Sequence, residues 1–122
     1  MPDEQDWERP VVFFEIRARD KQRLEDFYVQ MFNWKVDGER APGIGFIQPG
    51  IGPPVEGIGG VIAPGDPPGV SLYVQVKDLR ASLDKAERLG GKKLLDPVDV
   101  PNGPTIARIA DPEGNLVGLV QQ

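Results

Sequence analysis

Apolar residues alternate with other residue types along two short stretches of the chain, residues 12–18 and 70–76. Both stretches, VFFEIRA and VSLYVQV, are rich in β-branched and aromatic residues, which is typical of β-strands. An aspartate follows each stretch, Asp20 and Asp78, and its side chain is suited to accept hydrogen bonds from the first free amides of a helix. The pattern therefore predicts, twice, a strand that leads into a helix.

The residues after each aspartate carry apolar side chains at helical spacing. In the first segment they fall at i, i+3, i+4 and i+7, and the second segment is nearly the same. The two apolar stripes consist of Leu24, Phe27, Tyr28 and Met31, and of Leu79, Leu83, Ala86 and Leu89. Asn33 and the adjacent Gly90 and Gly91 are suited to the left-handed conformation that ends many helices. We therefore expect one amphipathic helix after each strand.

The two halves of the chain match each other at one offset, the 58 residues that separate Asp20 from Asp78. Aligned pairs include Val12 with Val70, Met31 with Leu89, Lys35 with Lys93, and Gly60 with Gly118. Because a single offset serves a strand, a helix and a final strand, the pattern indicates an internal duplication.

Further short strands complete each copy. We predict them at residues 34–39, 44–47 and 58–62 in the first copy, and at 92–95, 105–110 and 116–121 in the second. Each copy is thus β-α-β-β-β. The predicted fold class is α+β, with two tandem βαβββ modules that form a curved mixed sheet around a cleft. We place the first module at residues 11–66 and the second at 67–122, together one domain, after an acidic mobile tail at residues 1–10.

Residues 41–70 contain 16 Gly or Pro among 30 residues, a composition that is also found in disordered segments. Apolar residues are nevertheless spaced through this segment, so we favour short strands joined by irregular connections. We expect these connections to lie over a ligand cleft.

The alternation assigns a face to each side chain of the two repeated strands, since successive residues point to opposite sides of a sheet. The uniformly apolar sides should face the helices; they are Phe14, Ile16 and Ala18, and Leu72, Val74 and Val76. The mixed sides should line the cleft; they are Phe13, Glu15 and Arg17, and Ser71, Tyr73 and Gln75. Apolar side chains with a few polar ones are typical of a small-molecule site.

Composition narrows the chemistry. The chain has no Cys and no His, which removes thiolate nucleophiles, disulfides and the commonest metal ligand and general base. A net charge of −5 argues against nucleic acid as a partner, because phosphate binding needs a basic surface. We see no apolar run long enough for a membrane span and no signal-peptide pattern, so we expect a cytoplasmic protein without a membrane partner.

Three stretches carry a family resemblance: DFYVQMFNWKV after the first helix cap, LGGKKL after the second helix, and ADPEGNLVGLVQ near the end. With the doubled βαβββ pattern, they resemble the vicinal oxygen chelate superfamily over residues 10–122. That superfamily includes glyoxalase I, extradiol dioxygenases, fosfomycin-resistance enzymes and bleomycin-resistance proteins. The resemblance implies the curved-sheet fold and a homodimer.

In metal-dependent members of the superfamily, ligands stand on the first and last strands of each copy. The resemblance carries these positions to Phe13, Gly60, Ser71 and Gly118, of which only the serine offers a weak donor. Glu15 and Glu56 are possible replacement donors, although one or two isolated carboxylates seldom form a metal site. We therefore expect no metal and no cofactor.

The resemblance and the strand faces together predict a set of ligand-binding residues: Phe13, Glu15, Arg17, Trp34, Gly60, Ser71, Tyr73, Gln75, Arg108 and Gly118. The favoured interpretation is a metal-free binder of a small aromatic or cationic molecule. The alternative is a metal-dependent lyase, isomerase or dioxygenase, or an enzyme in which Glu15 acts as a general base. For Phe13, Trp34 and the arginines, ordinary packing or solvation stays open as an alternative.

Overall fold

The computed structural model describes residues 8–47, 58–101 and 103–121, and within them two helices and eight strands. The first half comprises β1 (Val11–Ala18), α1 (Lys21–Phe32), β2 (Val36–Ala41), β3 (Ile44–Ile47) and β4 (Gly59–Pro64). The second half comprises β5 (Gly69–Val76), α2 (Leu79–Arg88), β6 (Lys92–Asp99), β7 (Thr105–Ala110) and β8 (Leu116–Gln121).

All eight strands form one curved, open mixed sheet in the order β2-β3-β4-β1-β5-β8-β7-β6. Strands β1 and β5 pair antiparallel at its centre, and each pairs in parallel with the last strand of its own half, β4 or β8. The predicted α+β fold with two βαβββ modules around a cleft is therefore confirmed. Because the two copies of the first strand are neighbours, side chains from both halves meet at the middle of the sheet.

Both helices begin where the sequence predicts. The Asp20 carboxylate accepts from the Arg23 amide at 3.1 Å, and the Asp78 carboxylate accepts from the Ala81 amide at 3.0 Å. These bonds satisfy one orphan donor at each helix start. After α1, Asn33 adopts a left-handed conformation with φ of 61°. Neither of these helices, which have 12 and 10 residues, is long enough to cross a membrane.

The helices cover one face of the sheet. Ile16, Ala18 and Ile62 pack against Leu24 and Tyr28 of α1. In the second half, the corresponding cluster consists of Val76, Leu79, Leu83, Ala107 and Leu119. A third cluster, built around Tyr73, Ile106 and Val120, includes residues that line the opposite, concave face.

Alternation predicts the two faces of β1 correctly. On β5 the apolar residues also lie on the helix side, but the helices do not cover all of them. Leu72 pairs with Phe14 on the helix-facing side, as predicted, and Val70 pairs with Ile16 on the same side. Val70 and Leu72 are nevertheless 63% and 48% exposed. The middle of the convex face thus presents apolar side chains to solvent.

The structure corrects the constant offset at the last strand of each copy. In the first copy Glu15 is the strand partner of Val61, and in the second Tyr73 is the partner of Gly118. Val61, and not Gly60, therefore corresponds to Gly118. A Cβ atom at Gly60 would lie 2.6 Å from the Phe14 ring, which belongs to the cluster on the helix side. A shift of one residue in the register of a strand moves each of its side chains to the other face of the sheet.

The Gly- and Pro-rich segment contains the predicted strands β3 and β4 at its two ends. Residues 48–57, which include Glu56, lie outside the described part of the chain, as do residues 1–7. The cover over the cleft, the role of Glu56 and the mobile tail therefore stay predictions.

Candidate functional site

The concave face of the sheet holds a cavity of about 380 Å³. Its walls are mainly apolar, and polar side chains enter from β1, β5 and β7. The lining residues are Val12, Phe13, Glu15, Ile44, Phe46, Ile47, Gly59, Gly60, Val61, Ala63, Tyr73, Val100, Pro104, Ile106, Arg108 and Val120. A cavity of this size and composition is typical of a site for a small organic molecule.

The polar wall is a hydrogen-bonded cluster of Glu15, Tyr73 and Arg108, referred to below as the polar triad. Arg108 donates from Nε to the Tyr73 hydroxyl at 3.0 Å and from Nη2 to the Glu15 carboxylate at 3.4 Å. The Tyr73 hydroxyl in turn donates to the same carboxylate at 3.4 Å. Glu15 is only 7% exposed, and these partners offset the cost of burying its charge.

Arg17 approaches the polar triad from outside the cavity wall. Its Nη1 atom lies 3.8 Å from Oε1 of Glu15 and donates to the Ser71 hydroxyl at 2.6 Å. Neither Arg17 nor Ser71 is a lining residue. Two guanidinium groups therefore share the single carboxylate of Glu15.

The Tyr73 side chain fills the centre of the site. Its ring stacks on Phe13, with 4.4 Å between centroids and 13° between planes. On β8, Gly118 lies so close to this ring that a Cβ atom there would collide with it. A glycine at position 118 is required because the tyrosine occupies the space of any side chain at that position.

These residues do not fit a transition-metal ion. Of the positions implied by the resemblance, Phe13 and Gly118 offer no donor, and the Ser71 hydroxyl is held by Arg17. The first copy's last strand places Val61 on this face. Within residues 8–47, 58–101 and 103–121, no three His, Cys, Asp or Glu side chains are grouped as metal ligands.

The structure brings five of the ten predicted ligand-binding residues to the cavity. Its lining includes Phe13, Glu15, Gly60, Tyr73 and Arg108. Beside the cavity, Arg17 contacts Glu15 and Ser71 contacts Arg17, while Gly118 lies against the Tyr73 ring. Gln75 shares their face of the sheet, as its pairing with Val120 shows, but it is not a lining residue.

The prediction for Trp34 is wrong. Strand β2 begins at Val36, so Trp34 precedes it. Its ring stacks on Tyr28 with centroids 4.9 Å apart and lies 5.8 Å from Phe14. It is part of the cluster between the sheet and α1. Packing beneath the amphipathic helix decides its position, which was the alternative that the sequence left open.

Several lining residues were not singled out from the sequence. Phe46 and Val61 share the cleft face as strand partners, and Ile106 and Val120 share it on β7 and β8. Alternation within these short strands gives their faces only once the strand pairing is known. In the first copy that pairing is hard to predict from the sequence, because the strands lie in a glycine-rich segment with few side chains to show an alternating pattern.

Tyr73 has a raised pKa, above its ordinary value of 10.0. Burial is the main cause and the nearby Glu15 carboxylate adds to it, while Arg108 acts in the opposite direction. The hydroxyl is therefore a neutral hydrogen-bond donor throughout the physiological pH range.

This raised pKa predicts a loss of stability in alkali. As pH rises past 10.0 the unfolded chain releases the Tyr73 proton before the folded protein does, so the free energy of unfolding falls. We expect tyrosinate absorbance of the native protein, minus that of Tyr73→Phe, to appear only above pH 10.0. A difference signal that appears below that pH would contradict this environment for Tyr73.

Comparison with known proteins agrees with the fold. Residues 12–120 match the family model described as a glyoxalase-like domain. A glyoxylase-like domain-containing protein from Didymella fabae is 32% identical over 111 residues, which is 83% of this chain and 84% of the relative. Proteins of Mycobacterium bovis and Mycobacterium tuberculosis are 27% identical over 113 residues; the match takes in 88% of this chain and only 43% of theirs.

Solved structures share the fold at lower sequence identity. Methylmalonyl-CoA epimerase from Streptomyces coelicolor superposes with a TM-score of 0.66 at 16% identity, covering 93% of this chain and 94% of its own. A superfamily member from Vibrio splendidus gives 0.64 at 15% identity, covering 94% and 100%. The family match spans nearly the whole described fold. Its fold is that of a solved member of the glyoxalase/bleomycin-resistance/dioxygenase superfamily, and the chain itself belongs to the glyoxalase-like domain family.

Proposed function

We propose that this protein binds a small organic molecule in the concave cavity, without a metal ion and without altering the molecule. The observation that carries the proposal is the cavity itself, about 380 Å³ of apolar space with the polar triad on one wall. The places where the resemblance puts metal ligands hold Phe13, Ser71 and Gly118. The fold thus keeps a binding cavity while its side chains suit organic contacts better than metal coordination.

The shape of the lining favours a ligand with a flat apolar part. The Phe13 ring already stacks on Tyr73, and both line the cavity. Phe46 lines it from β3, and Gly59 adds backbone without a side chain. Aromatic rings and exposed backbone together accommodate a planar group by stacking and close approach.

Binding is better supported than catalysis. A general base needs a carboxylate that is within reach of the substrate and able to accept a proton. Both oxygens of the Glu15 carboxylate instead accept hydrogen bonds within the protein, one from Tyr73 and one from Arg108. The epimerase activity in the name of the Streptomyces coelicolor neighbour is a property of that protein. A sequence identity of 16% shows that the two proteins share a fold, and it does not show that they share an activity.

A neutral aromatic probe tests the proposal. We expect 2-naphthamide to bind the metal-free protein and to perturb the amide resonances of Phe13, Val61 and Ile106. The variant Val61→Trp fills the cavity and should abolish this binding, whereas Val29→Trp, on helix α1, should preserve it. Thermal unfolding of both variants confirms that they are folded.

Binding that survives in folded Val61→Trp, or shifts confined to the convex face, would contradict the proposal. The first result would mean that the probe binds outside the cavity. The second would assign binding to the surface around α1 and α2.

We also propose that the protein is a homodimer, as the superfamily resemblance implies. Val70 and Leu72 support this, because they expose apolar side chains at the centre of the sheet's convex face, where strands β1 and β5 pair antiparallel. A second copy related by a two-fold axis would bury this patch against itself. Isolated apolar residues on a protein surface are common, but a patch on a central strand is typical of an interface.

Leu72→Asp should convert the dimer into a folded monomer, since a buried unpaired carboxylate at the interface is costly. Light scattering coupled to size-exclusion chromatography gives the mass of each species. Leu94→Asp, on strand β6, is the control and should leave the mass unchanged. A wild-type monomer, or a Leu72→Asp dimer, would contradict this interface.

A further inference from the structure

We propose that the cavity selects an anionic ligand, a compact carboxylate whose apolar body lies against Phe13 and Phe46 and whose charged group is bound by Arg108. This inference rests on the proposed function and adds the chemical class of the ligand to it. It also departs from the small aromatic or cationic ligand expected from the sequence.

The charges at the polar wall carry the inference. One carboxylate, Glu15, is shared by two guanidinium groups, with Nη2 of Arg108 at 3.4 Å and Nη1 of Arg17 at 3.8 Å. Tyr73 is neutral at physiological pH, since its pKa is raised. The cluster therefore has one positive charge in excess. An anion placed beside it neutralises this charge, and a cation adds to it.

Arg108 is positioned to bind the charged group of such an anion. It lines the cavity, and its side chain is 31% exposed, more than the 21% of Arg17. Its contacts with described residues use Nε and Nη2. Arginine has five N–H donors, and those on Nη1 have no acceptor among the residues that the structure describes, so they can bind a ligand oxygen. The bonds to Tyr73 and Glu15 fix the guanidinium plane, which lowers the entropic cost of binding a carboxylate.

The overall charge of −5 does not oppose this preference at close range. Charges farther apart than the Debye length, about 8 Å at physiological ionic strength, are largely screened from one another when exposed to solvent. A ligand in the cavity instead meets Arg108 at contact distance, between mainly apolar walls. The local excess of positive charge then decides which ligand is bound, and the net charge affects mainly the rate of approach.

Three probes of nearly the same shape test the inference: 2-naphthoate, 2-naphthamide and 2-naphthamidinium, which carry negative, zero and positive charge. Titration calorimetry on the metal-free protein should show naphthoate binding roughly tenfold or more tightly than naphthamidinium, with the amide between them. The preference should shrink as salt is added.

Two variants and a control assign the effect to Arg108. Arg108→Gln should weaken naphthoate roughly tenfold and leave naphthamide nearly unchanged, because the excess positive charge is lost. Arg108→Lys keeps the charge but loses the planar fork, so it should retain part of the preference. Arg80→Gln, on helix α2 away from the cavity, should bind all three probes as the wild type does.

The outcomes separate this inference from the proposed function. Naphthamidinium binding as tightly as naphthoate would overturn the anionic preference while leaving the cavity as a binding site. A naphthoate preference that persists in Arg108→Gln would overturn the assignment to Arg108. If none of the three probes binds, the proposed function is wrong and the inference is wrong with it.

Discussion

Tyr73→Ala is expected to lower the free energy of unfolding by about 3–5 kcal/mol, the range typical of deleting a large buried ring. The Tyr73 side chain is 2% exposed and forms a core cluster with Ile106 and Val120. Removing it leaves a cavity that adjoins the existing one, takes the stacking partner from Phe13, and deprives Arg108 of its hydroxyl acceptor. The residue at the centre of the site is therefore also one of the main structural residues of the concave face.

Urea unfolding of Tyr73→Ala and Tyr73→Phe separates the ring from the hydroxyl. The phenylalanine variant keeps the ring and loses the hydrogen bonds to Glu15 and Arg108, so we expect it to cost only about 1 kcal/mol. Equal costs for the two variants would show that the hydroxyl, and not the packing of the ring, holds the site together. A cost below about 1 kcal/mol for Tyr73→Ala would contradict the tight packing of the ring.

Gly118→Ala is expected to cost about 1–3 kcal/mol, the range for overpacking a core. The added methyl group would collide with the Tyr73 ring, which Phe13 holds on its other face. Gly38→Ala on β2 is the matched control, because none of the described residues would lie within 4 Å of a Cβ atom there. That substitution should be neutral or slightly stabilising, since alanine is less flexible than glycine in the unfolded chain.

A double-mutant cycle shows whether the collision is with Tyr73. In the Tyr73→Ala background the ring is absent, so Gly118→Ala should lose most of its cost. The same cost in both backgrounds would mean that another neighbour excludes the methyl group. The relation between these two residues matters for function, because the tyrosine ring fills the space that a metal ligand at position 118 would need.

Much of the fold was predictable because its signals are local. The aspartate caps, the helical stripes and the alternation in β1 each depend on residues within one element. The duplication supplied the one long-range constraint, since two similar βαβββ units predict a single curved sheet around a shared cleft. Phe13 and Glu15 were placed in the cleft by alternation alone.

The errors concern residues whose positions are determined by strand pairing or by packing between elements that are far apart in the sequence. The offset between the last strands of the two copies differs by one residue from the offset between their first strands. A Cβ atom at Gly60 would therefore point to the helix side of the sheet and not into the cleft. The sequence predicted a strand from residue 34, but β2 begins at Val36, and Trp34 instead packs, partly buried, against α1. Glu15 and Arg108 are far apart in the sequence, so no local pattern predicts that they form an ion pair.

The affinity of 2-naphthoate with and without metal tests the central claim most directly. Protein dialysed against a chelator would be titrated first alone, and then after addition of Zn²⁺, Ni²⁺, Mn²⁺ or Fe²⁺ under anaerobic conditions. Native mass spectrometry of the same samples would report whether any ion is retained. We predict one dissociation constant under all conditions and no retained metal. Binding that appears only with one of these ions, together with one ion retained per chain, would contradict the account of a metal-free site.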